Sequence, residues 1–303
     1  MSKKPLLIGV TGCTGTGKTA LGITLCKQLN GEVVSCDSMQ VYADMPIATA
    51  QPSMEERGGI KHHLMGFLPP GEPYSVARYC EDANNAIADI IAKGKQAVIV
   101  GGTGLYYNAL TQNLRFAPQD SDTGLREELR AAAEADGGAE LLAKIKELDP
   151  IAAERLRTGG IARIVRAWER YLVTGLTPSE HDEQSRREES PYEIRTIVLD
   201  CRKREELYER LDRRVDQMLA SGLWEEAERF LGKQTPTARQ AIGHKELFPA
   251  LRGEISREEA VENLKRATRR YAKRQRTWFA HQTLNPHFIY IDEDYRLPAG
   301  ITD

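Results

Sequence analysis

Three groups of residues in this sequence have the types and the spacing to do chemistry on a phosphate compound. The first is the segment from Gly12 to Thr19, which fits the pattern G-x-x-x-x-G-K-[ST]. In such a loop the glycines let backbone N–H groups turn toward phosphate oxygens, and the following helix adds the positive end of its dipole. The lysine supplies a point charge, and the last hydroxyl can hold Mg²⁺. We assign phosphate binding to the whole loop, with Thr19 as the candidate Mg²⁺ ligand: Gly12, Cys13, Thr14, Gly15, Thr16, Gly17, Lys18 and Thr19.

The other two groups are Asp37 and Thr103, which follow two separate apolar runs. An ATPase with such a loop usually carries an aspartate at the end of an apolar strand, where it holds Mg²⁺. Here the run that ends at Val100 is followed by Gly-Gly-Thr, and the carboxylate follows a different run instead. A carboxylate beside a phosphate site can hold Mg²⁺ or act as a general base. The loop alone therefore leaves open which phosphate compound is bound.

The elements that must position these residues can be read from the apolar pattern. Short apolar runs predict strands at Leu6 to Val10, Glu32 to Asp37, Ala97 to Val100, Ile194 to Leu199 and Phe288 to Ile291. Helical spacing predicts helices at Thr19 to Leu29, Tyr74 to Lys93, Leu125 to Ala135, Ala139 to Leu148, Ile161 to Thr174, Leu207 to Leu219, Trp224 to Leu231 and Arg257 to Phe279. Alternating strands and helices predict a parallel sheet with helices on both faces. The strand carboxyl ends of such a sheet open on one crevice, where we expect Lys18, Asp37 and Thr103 to converge.

The middle of the chain has a different character. From about Gln112 to Ser190 there is no strand-like run, and Ala, Glu and Arg dominate. We therefore predict an α/β fold, a P-loop NTPase-like parallel sheet flanked by helices, with an inserted all-helical subdomain. Its catalytic core is discontinuous, at residues 1–112 and 191–303, and residues 113–190 form the helical insertion.

Composition and cysteine usage narrow the class of protein. The 303 residues are 41% hydrophobic and carry a net charge of -2, and the five cysteines form no CxxC pair. Neither a zinc site nor a disulfide framework is indicated. The N-terminal apolar run is too short for a signal peptide, and no stretch approaches the roughly 18 apolar residues of a membrane helix. We expect a cytoplasmic protein with reduced thiols and no membrane partner, and nothing points beyond a monomer.

The residues that carry this chemistry resemble those of the tRNA dimethylallyltransferases. The similar segments occur in the family's order and span nearly the whole chain: Gly12–Thr19, Ser35–Tyr42, His62–Leu64, Val100–Tyr106, Gln240–Gly243 and Ala272–Trp278. The resemblance implies transfer of a dimethylallyl group from dimethylallyl diphosphate to the exocyclic N6 amine of the adenosine 3′ of the anticodon. By that analogy the phosphate loop holds the diphosphate leaving group with Mg²⁺, and the partner is the tRNA anticodon stem-loop.

The resemblance also implies roles for individual residues. Asp37 would be the general base, Thr103 would bind an oxygen near the reacting centre, and Lys18 would stabilise the leaving group. The residues expected to meet tRNA are Asp37, Ser38, Met39, Gln40, Thr103, Ala162, Arg163, Ile164, Val165, Arg166 and Gln240. Two further residues have no assigned role: Arg239, and His244, which stands where the family commonly has Tyr.

Basic residues are concentrated in two stretches. The helix from Leu264 to Trp278 carries Lys265, Arg266, Arg269, Arg270, Lys273, Arg274 and Arg276, and a second stretch runs from Arg155 to Arg170. A basic helix alone is most often a solvated face. Two such stretches accompanying a phosphate site favour binding to a nucleic-acid backbone.

Two other patterns favour structural roles. Leu264, Tyr271 and Trp278 recur every seven residues, which favours packing in the core over stacking on bases. The pair His62-His63 has no third ligand at suitable spacing, so we expect it to position the loop after the second strand and not to hold a metal.

Three other functions share some of these features. An adenylate isopentenyltransferase would have the same loop and Asp37 but would use a free nucleotide. A small-molecule P-loop kinase would consume ATP, and an RNA-binding module would retain the loop as a vestige. The helical insertion and the basic helix favour a tRNA substrate.

Overall fold

A computed structural model of the protein describes residues 4–116, 123–185, 188–232, 240–294, 297 and 300–301. Arg239 lies outside these residues. The chain forms two compact units. One comprises Met1–Thr111 with Ser190–Asp303, and the other comprises Gln112–Glu189.

The described elements, in chain order, are six strands and twelve helices. They are β1 (Leu6–Gly12), α1 (Lys18–Gln28), β2 (Gly31–Ser35), β3 (His62–His63), α2 (Val76–Ala92), β4 (Gln96–Val100), α3 (Gly104–Thr111), α4 (Thr123–Asp136), α5 (Ala139–Leu148), α6 (Pro150–Leu156), α7 (Ile161–Thr174), α8 (Pro178–Ser185), β5 (Glu193–Asp200), α9 (Arg204–Ala220), α10 (Leu223–Phe230), α11 (His244–Leu251), α12 (Arg257–Gln282) and β6 (Pro286–Tyr290).

The larger unit is built on one parallel sheet, as the sequence predicts. Its strands are ordered β3-β2-β4-β1-β5-β6, and every pairing among them is parallel. Val100 of β4 is level with Val10 of β1 on one side and with Ser35 of β2 on the other. The three loops that leave these strands therefore start side by side at one edge of the sheet.

Both faces of this sheet are buried, which explains the continuous apolar runs. Neighbouring residues of one strand enter opposite cores. Leu7 of β1 and Val34 of β2 belong to one cluster with residues of α2 and α3, which we call the main core. Ile8 and Val33 belong to another, with Leu25 of α1. Because successive side chains of a strand point to opposite faces, the sheet separates these two cores.

The elements missing from the sequence prediction are short or carry misleading residues. The edge strand β3 has only two residues, and it pairs with β2 through His62 and His63. The helix α11 contains Pro249, which usually ends a helix. Pro150 and Pro178 begin α6 and α8, where proline is tolerated because the first N–H groups have no partner within the helix.

The smaller unit is helical throughout its described residues. Its core contains Leu141, Ile145 and Ile164 from α5 and α7. Asp149 caps α6 by accepting from the Ala152 N–H at 2.9 Å, and its other oxygen accepts from the Ser179 N–H of α8 at 2.8 Å. One carboxylate thus joins two helices. In neither unit is any described helix both long and apolar enough to span a membrane.

We predict that Gly9→Ala destabilises the larger unit by about 1–3 kcal/mol, since overpacking a filled core costs about that much. A β-carbon at Gly9 would lie 2.0 Å from the hydroxyl oxygen of Tyr107, which is buried and bonded to Thr196 at 2.6 Å. Urea unfolding checks this result. The control is Gly71→Ala, where nothing lies within 4 Å of the new atom; equal stability of the two variants would contradict the packing of α3 on β1.

Candidate active site

Three loops meet at the carboxyl edge of the sheet and are bonded to one another. The Cys36 N–H donates to the carbonyl of Val100 at 2.7 Å, which carries the β2–β4 pairing one residue past the strand. The Thr103 N–H donates to the carbonyl of Cys36 at 3.2 Å. On the other side, the Thr11 hydroxyl donates to the carbonyl of Gly101 at 2.9 Å. The phosphate loop, the Asp37 loop and the Thr103 loop are therefore one connected structure.

The phosphate loop has the backbone that its glycines predict. Gly12, Gly15 and Gly17 all have positive φ, and Gly17 is left-handed immediately before Lys18 starts α1. At Gly12 a β-carbon would lie 2.0 Å from the carbonyl oxygen of Leu199, so only glycine fits there. Successive N–H groups in this conformation form an anion-binding concavity at a helix N-terminus.

Lys18 is held inside this concavity. Its Nζ donates to the carbonyl of Cys13 at 2.7 Å, within its own loop. The pKa of Lys18 is lowered to about 8, mainly by burial and to a smaller extent by the charge of Arg214, while Cys13 and Asp37 oppose the shift. A buried cation whose own partners are few is well placed to gain an anionic ligand.

Asp37 has one oxygen engaged in structure and the other available. Its Oδ1 accepts from the N–H groups of Met39 at 2.9 Å and Gln40 at 3.3 Å, which fixes the carboxylate on its turn. Among the described residues none donates a hydrogen bond to Oδ2. A carboxylate held by one oxygen with the other unengaged has the geometry that a general base requires.

Thr103 positions the residue next to Asp37. Its Oγ1 accepts from the Ser38 N–H at 2.9 Å and donates to the Ser38 hydroxyl at 3.3 Å. This contact brings Thr103 to the turn that carries Asp37, as the sequence predicts. Lys18 is also close enough for the charge of Asp37 to affect its pKa. The catalytic roles assigned to these residues remain predictions.

Three residues of α9 and α12 also reach this site, and the sequence reasoning did not assign them there. Arg210 donates from Nε to the carbonyl of Gly15 at 3.3 Å. The charge of Arg214, one turn later, acts on Asp37 and Lys18, while burial lowers its own pKa. The i, i+4 spacing of two arginines on a helix was the only signal in the sequence.

Tyr271 of α12 is the third. It lies beside Thr103 and Asp37, and burial followed by the charge of Asp37 raises the pKa of its phenol. The expectation of core packing is wrong for Tyr271, because the end of β4 brings Thr103 under this face of the helix. The expectation of core packing is right for Trp278, which packs against the main core. Its ring lies against Gly104, where a β-carbon would be 2.1 Å from the ring.

The remaining residues of the Asp37 loop serve its own structure. The side chain of Gln40 accepts from the Ser35 hydroxyl at 3.1 Å and donates to the carbonyls of Thr49 and Ala50 at 3.3 and 3.1 Å. This amide is thus engaged in holding the chain that follows it. Met39 is partly buried against the main core, whereas Gln240 is exposed.

A buried carboxylate–histidine pair anchors the far end of that loop. Glu226 of α10 accepts from the N–H groups of Ile47 and Ala48 and from His244 Nε2, each at 2.9 Å. Both side chains are fully buried. Burial alone would raise the pKa of Glu226, but the hydrogen bonds from His244, Ala48 and Ile47 lower it below its ordinary value of 4.5. His244 therefore has a structural role.

His62 and His63 form β3, the outermost strand on the β2 side of the sheet. His63 Nε2 is 2.6 Å from Glu32 Oε2, and Lys95 Nζ is 2.7 Å from the other oxygen of the same carboxylate. These contacts hold β3 to β2, so the pair supports the loop that follows Asp37.

Three cations of α12 are occupied by carboxylates of the same unit. The pairs are Lys265 with Asp216 at 2.7 Å, Arg269 with Asp212 at 2.6 Å and Arg276 with Asp200 at 2.8 Å. The first two arise because α9 and α12 place their charges at matching i, i+4 positions. Phosphate binding by these three is therefore not supported. Four cations are exposed and have no carboxylate partner among the described residues: Arg266, Arg270, Lys273 and Arg274.

The predicted RNA-binding stretch of the smaller unit lies in α7. Ile164 and Val165 are buried in that unit's core, so their side chains serve its packing. Arg166 is 3.3 Å from Glu169, which also accepts from Arg126. Ala162 and Arg163 are exposed. Contact with RNA from this stretch thus falls mainly to Arg163, and its assignment remains a prediction.

The sequence matches family models and known proteins of the isopentenyl transferases. The family model described as IPP transferase matches residues 40–282, and the one described as isopentenyl transferase matches residues 6–65. The chain is 45% identical over 287 residues to a tRNA dimethylallyltransferase of Acetivibrio thermocellus, covering 94% of this chain and 91% of that protein. It is 44% identical over 303 residues to one of Lachnoclostridium phytofermentans, covering 98% and 95%.

Solved structures show the same fold. The full-length tRNA isopentenylpyrophosphate transferase of Bacillus halodurans matches with a TM-score of 0.70 and 38% identity, over 97% of this chain and 92% of that one. A eukaryotic dimethylallyltransferase acting on tRNA matches with a TM-score of 0.76 and 35% identity, over 92% of this chain and 70% of that one.

The pKa of Lys18 predicts proton uptake when an anion fills the loop. At pH 9 a lysine with a pKa of about 8 is mostly neutral, and inorganic diphosphate would favour its charged form. Titration calorimetry in buffers of different ionisation enthalpy should show about one more proton taken up than in Lys18→Arg, which stays charged in both states. At pH 6.5 the two proteins should agree. Equal uptake at pH 9 would contradict the placement of Lys18.

Removing the Glu226 carboxylate should destabilise the protein strongly. Glu226→Ala leaves two N–H groups and His244 without their partner, which we expect to cost about 3–5 kcal/mol. The folded pKa of Glu226 is depressed, so its contribution is present above pH 4.5 and is lost as the pH falls below that value. Urea unfolding at pH 7 and pH 4 checks both statements, with the exposed neighbour Glu225→Ala as the control. A similar small effect for both variants would show that this pair does not anchor the loop.

Proposed function

This chain belongs to the tRNA dimethylallyltransferase family, and we propose that it transfers a dimethylallyl group from dimethylallyl diphosphate to the N6 amine of the adenosine 3′ of the anticodon. One observation carries the proposal: a phosphate-loop cradle after β1 and a half-engaged carboxylate after β2 lie at the same edge of the sheet, on either side of β4. The cradle suits a leaving group, and the carboxylate suits an amine that must lose a proton.

The phosphate loop would hold the donor's diphosphate. As the bond between the allylic carbon and the diphosphate oxygen breaks, its electron pair passes to the diphosphate, and the developing charge needs fixed positive groups. Backbone N–H groups of the loop, Lys18 and Arg214 would supply these positive groups. No described residue shares a hydrogen bond with the Thr19 hydroxyl, so it fits a Mg²⁺ ligand; the ion when bound would neutralise diphosphate oxygens.

Asp37 would accept the proton of the acceptor. The lone pair of N6 forms the new bond to the allylic carbon, and the N6 proton moves to Oδ2 of Asp37. An aryl amine is a weak nucleophile, so general-base assistance contributes typically about 10²–10⁴-fold. Thr103 and Ser38, which are hydrogen-bonded to each other, would border the acceptor amine.

The acceptor adenosine must leave the anticodon-loop stack to reach a recessed carboxylate, as in other base-modifying enzymes. The exposed cations Arg266, Arg270, Lys273 and Arg274 of α12 would bind the RNA backbone in the larger unit, and Arg163 would do so in the smaller one. Because tRNA is the acceptor, we place the enzyme in the cytoplasm. We also propose that the enzyme acts as a monomer.

The choice of acceptor has a direct test. Labelled dimethylallyl diphosphate is offered with an anticodon stem-loop or with AMP, and the labelled nucleoside is identified by mass spectrometry. We expect label on the stem-loop adenosine. Label on AMP alone would instead identify an adenylate isopentenyltransferase.

Asp37→Asn tests the general base. The amide keeps the size of the side chain but cannot accept the N6 proton, so we expect kcat to fall by at least about 100-fold. Stem-loop affinity measured by filter binding should change little. Near-normal turnover in the variant would refute this role, whereas loss of binding without loss of kcat would make Asp37 a recognition residue.

A further inference from the structure

One buried amide joins the donor side and the acceptor side of the site. Gln275 of α12 is 5% exposed. Its Oε1 accepts from the Thr14 N–H of the phosphate loop at 2.8 Å, and its Nε2 donates to the carbonyl of Gly102 at 2.8 Å. Gly102 directly precedes Thr103, so a single side chain bridges the cradle and the loop that fixes Ser38 beside Asp37.

The surrounding residues are shaped for this bridge. A β-carbon at Gly102 would lie 2.3 Å from Nε2 of Gln275, so any larger residue there would displace the amide. Both partners are backbone groups in the interior, where an unpaired N–H or carbonyl is costly. An amide is the neutral side chain that can accept from one loop and donate to the other at the same time.

The bridge is separate from the contact that docks the helix. The next residue, Arg276, is 2.8 Å from Asp200, and Asp200 in turn accepts a weak bond from the Cys13 thiol at 3.8 Å. Phe279, one turn beyond Gln275, is fully buried in the main core. Loss of the amide would therefore leave α12 in place while removing the bridge between Thr14 and Gly102, and the loops would still meet at the Thr11–Gly101 bond nearer the strands.

We propose that Gln275 is a positioning residue for the transfer reaction, which sets the distance between the diphosphate cradle and the Asp37–Thr103 pocket. This inference rests on the proposed function. Misplacing reacting groups by about 1 Å can cost about 100-fold in rate, so a bridge between two loops matters more to the rate than to substrate binding.

Gln275→Met tests the proposal because it keeps the length of the side chain and removes both hydrogen bonds. The single-turnover rate with saturating donor and stem-loop should fall at least about tenfold, while the stem-loop Kd stays within about twofold. Thr268→Val is the matched control, since it removes a buried hydroxyl of the same helix whose one hydrogen bond among the described residues goes to the carbonyl of Leu264. A loss smaller than tenfold per folded molecule, or an equal loss in Thr268→Val, would overturn the proposal.

Gln275→Glu gives a second test, which can still be made if the methionine variant fails to fold. A carboxylate can accept from Thr14 but repels the carbonyl of Gly102, whereas the protonated acid can donate to that carbonyl as the amide does. The rate of this variant relative to wild type should therefore rise as the pH falls from 8.5 to about 6, because the carbonyl raises the pKa of the acid. A ratio that is flat or falls with decreasing pH would contradict the bridge.

Amide hydrogen exchange separates this inference from the proposed function. The Thr14 N–H should be protected in wild type and should exchange much faster in Gln275→Met, whatever reaction the enzyme performs. If wild-type protein transfers no label to the stem-loop, the proposed function fails while the exchange result still tests the bridge. Unchanged exchange at Thr14 would show that Gln275 does not hold the loop.

Discussion

The alignment of three parallel strand ends is the constraint on which the rest of this structure depends. Strands β2, β4 and β1 are adjacent and in register at Ser35, Val100 and Val10. Neighbouring strands lie about 4.8 Å apart, so loops that begin at the same level start within one side chain's reach of one another. A diphosphate cradle, a threonine and a carboxylate can then share one reaction centre without further rearrangement. Antiparallel neighbours would have placed them at opposite edges.

The helices of the larger unit convert this proximity into fixed geometry. Arg210 and Arg214 of α9 reach the phosphate loop and the Asp37 region, and Gln275 of α12 joins two of the loops. The ion pairs Lys265–Asp216 and Arg269–Asp212 join α12 to α9, which leaves a smaller set of exposed cations on α12 for RNA. Glu226 and His244 hold the end of the Asp37 loop from a third direction. The active site is thus supported by elements distant in sequence.

The sequence predicted the features that depend on local pattern. The phosphate loop could be predicted from its glycines and Lys18, because few other backbone conformations require these residues at that spacing. The parallel sheet follows from continuous apolar runs alternating with helical segments. Elements of two to eight residues, such as β3 and α11, carry too little periodicity to be recognised.

The supporting contacts could not be predicted because they depend on tertiary packing. Gln275 is one polar residue in a basic helix, and only the position of α12 over both loops gives it a role. His244 belonged to a recognisable segment, yet its partner Glu226 lies on another helix. Tyr271 belongs to the apolar repeat of Leu264, Tyr271 and Trp278, and it nevertheless lies beside the polar Thr103 of the site. Helical spacing shows which residues share a face but not what that face meets.

The most direct measurement of the central claim is a crystal structure with an anticodon stem-loop and an unreactive thiolodiphosphate analogue of the donor. We expect the diphosphate to bind the N–H groups of the phosphate loop, beside Lys18. We also expect N6 of the extruded adenine to lie within hydrogen-bond distance, about 3 Å, of Asp37 Oδ2 and to face the allylic carbon. A diphosphate bound away from the loop, or an adenine amine out of reach of Asp37, would contradict it.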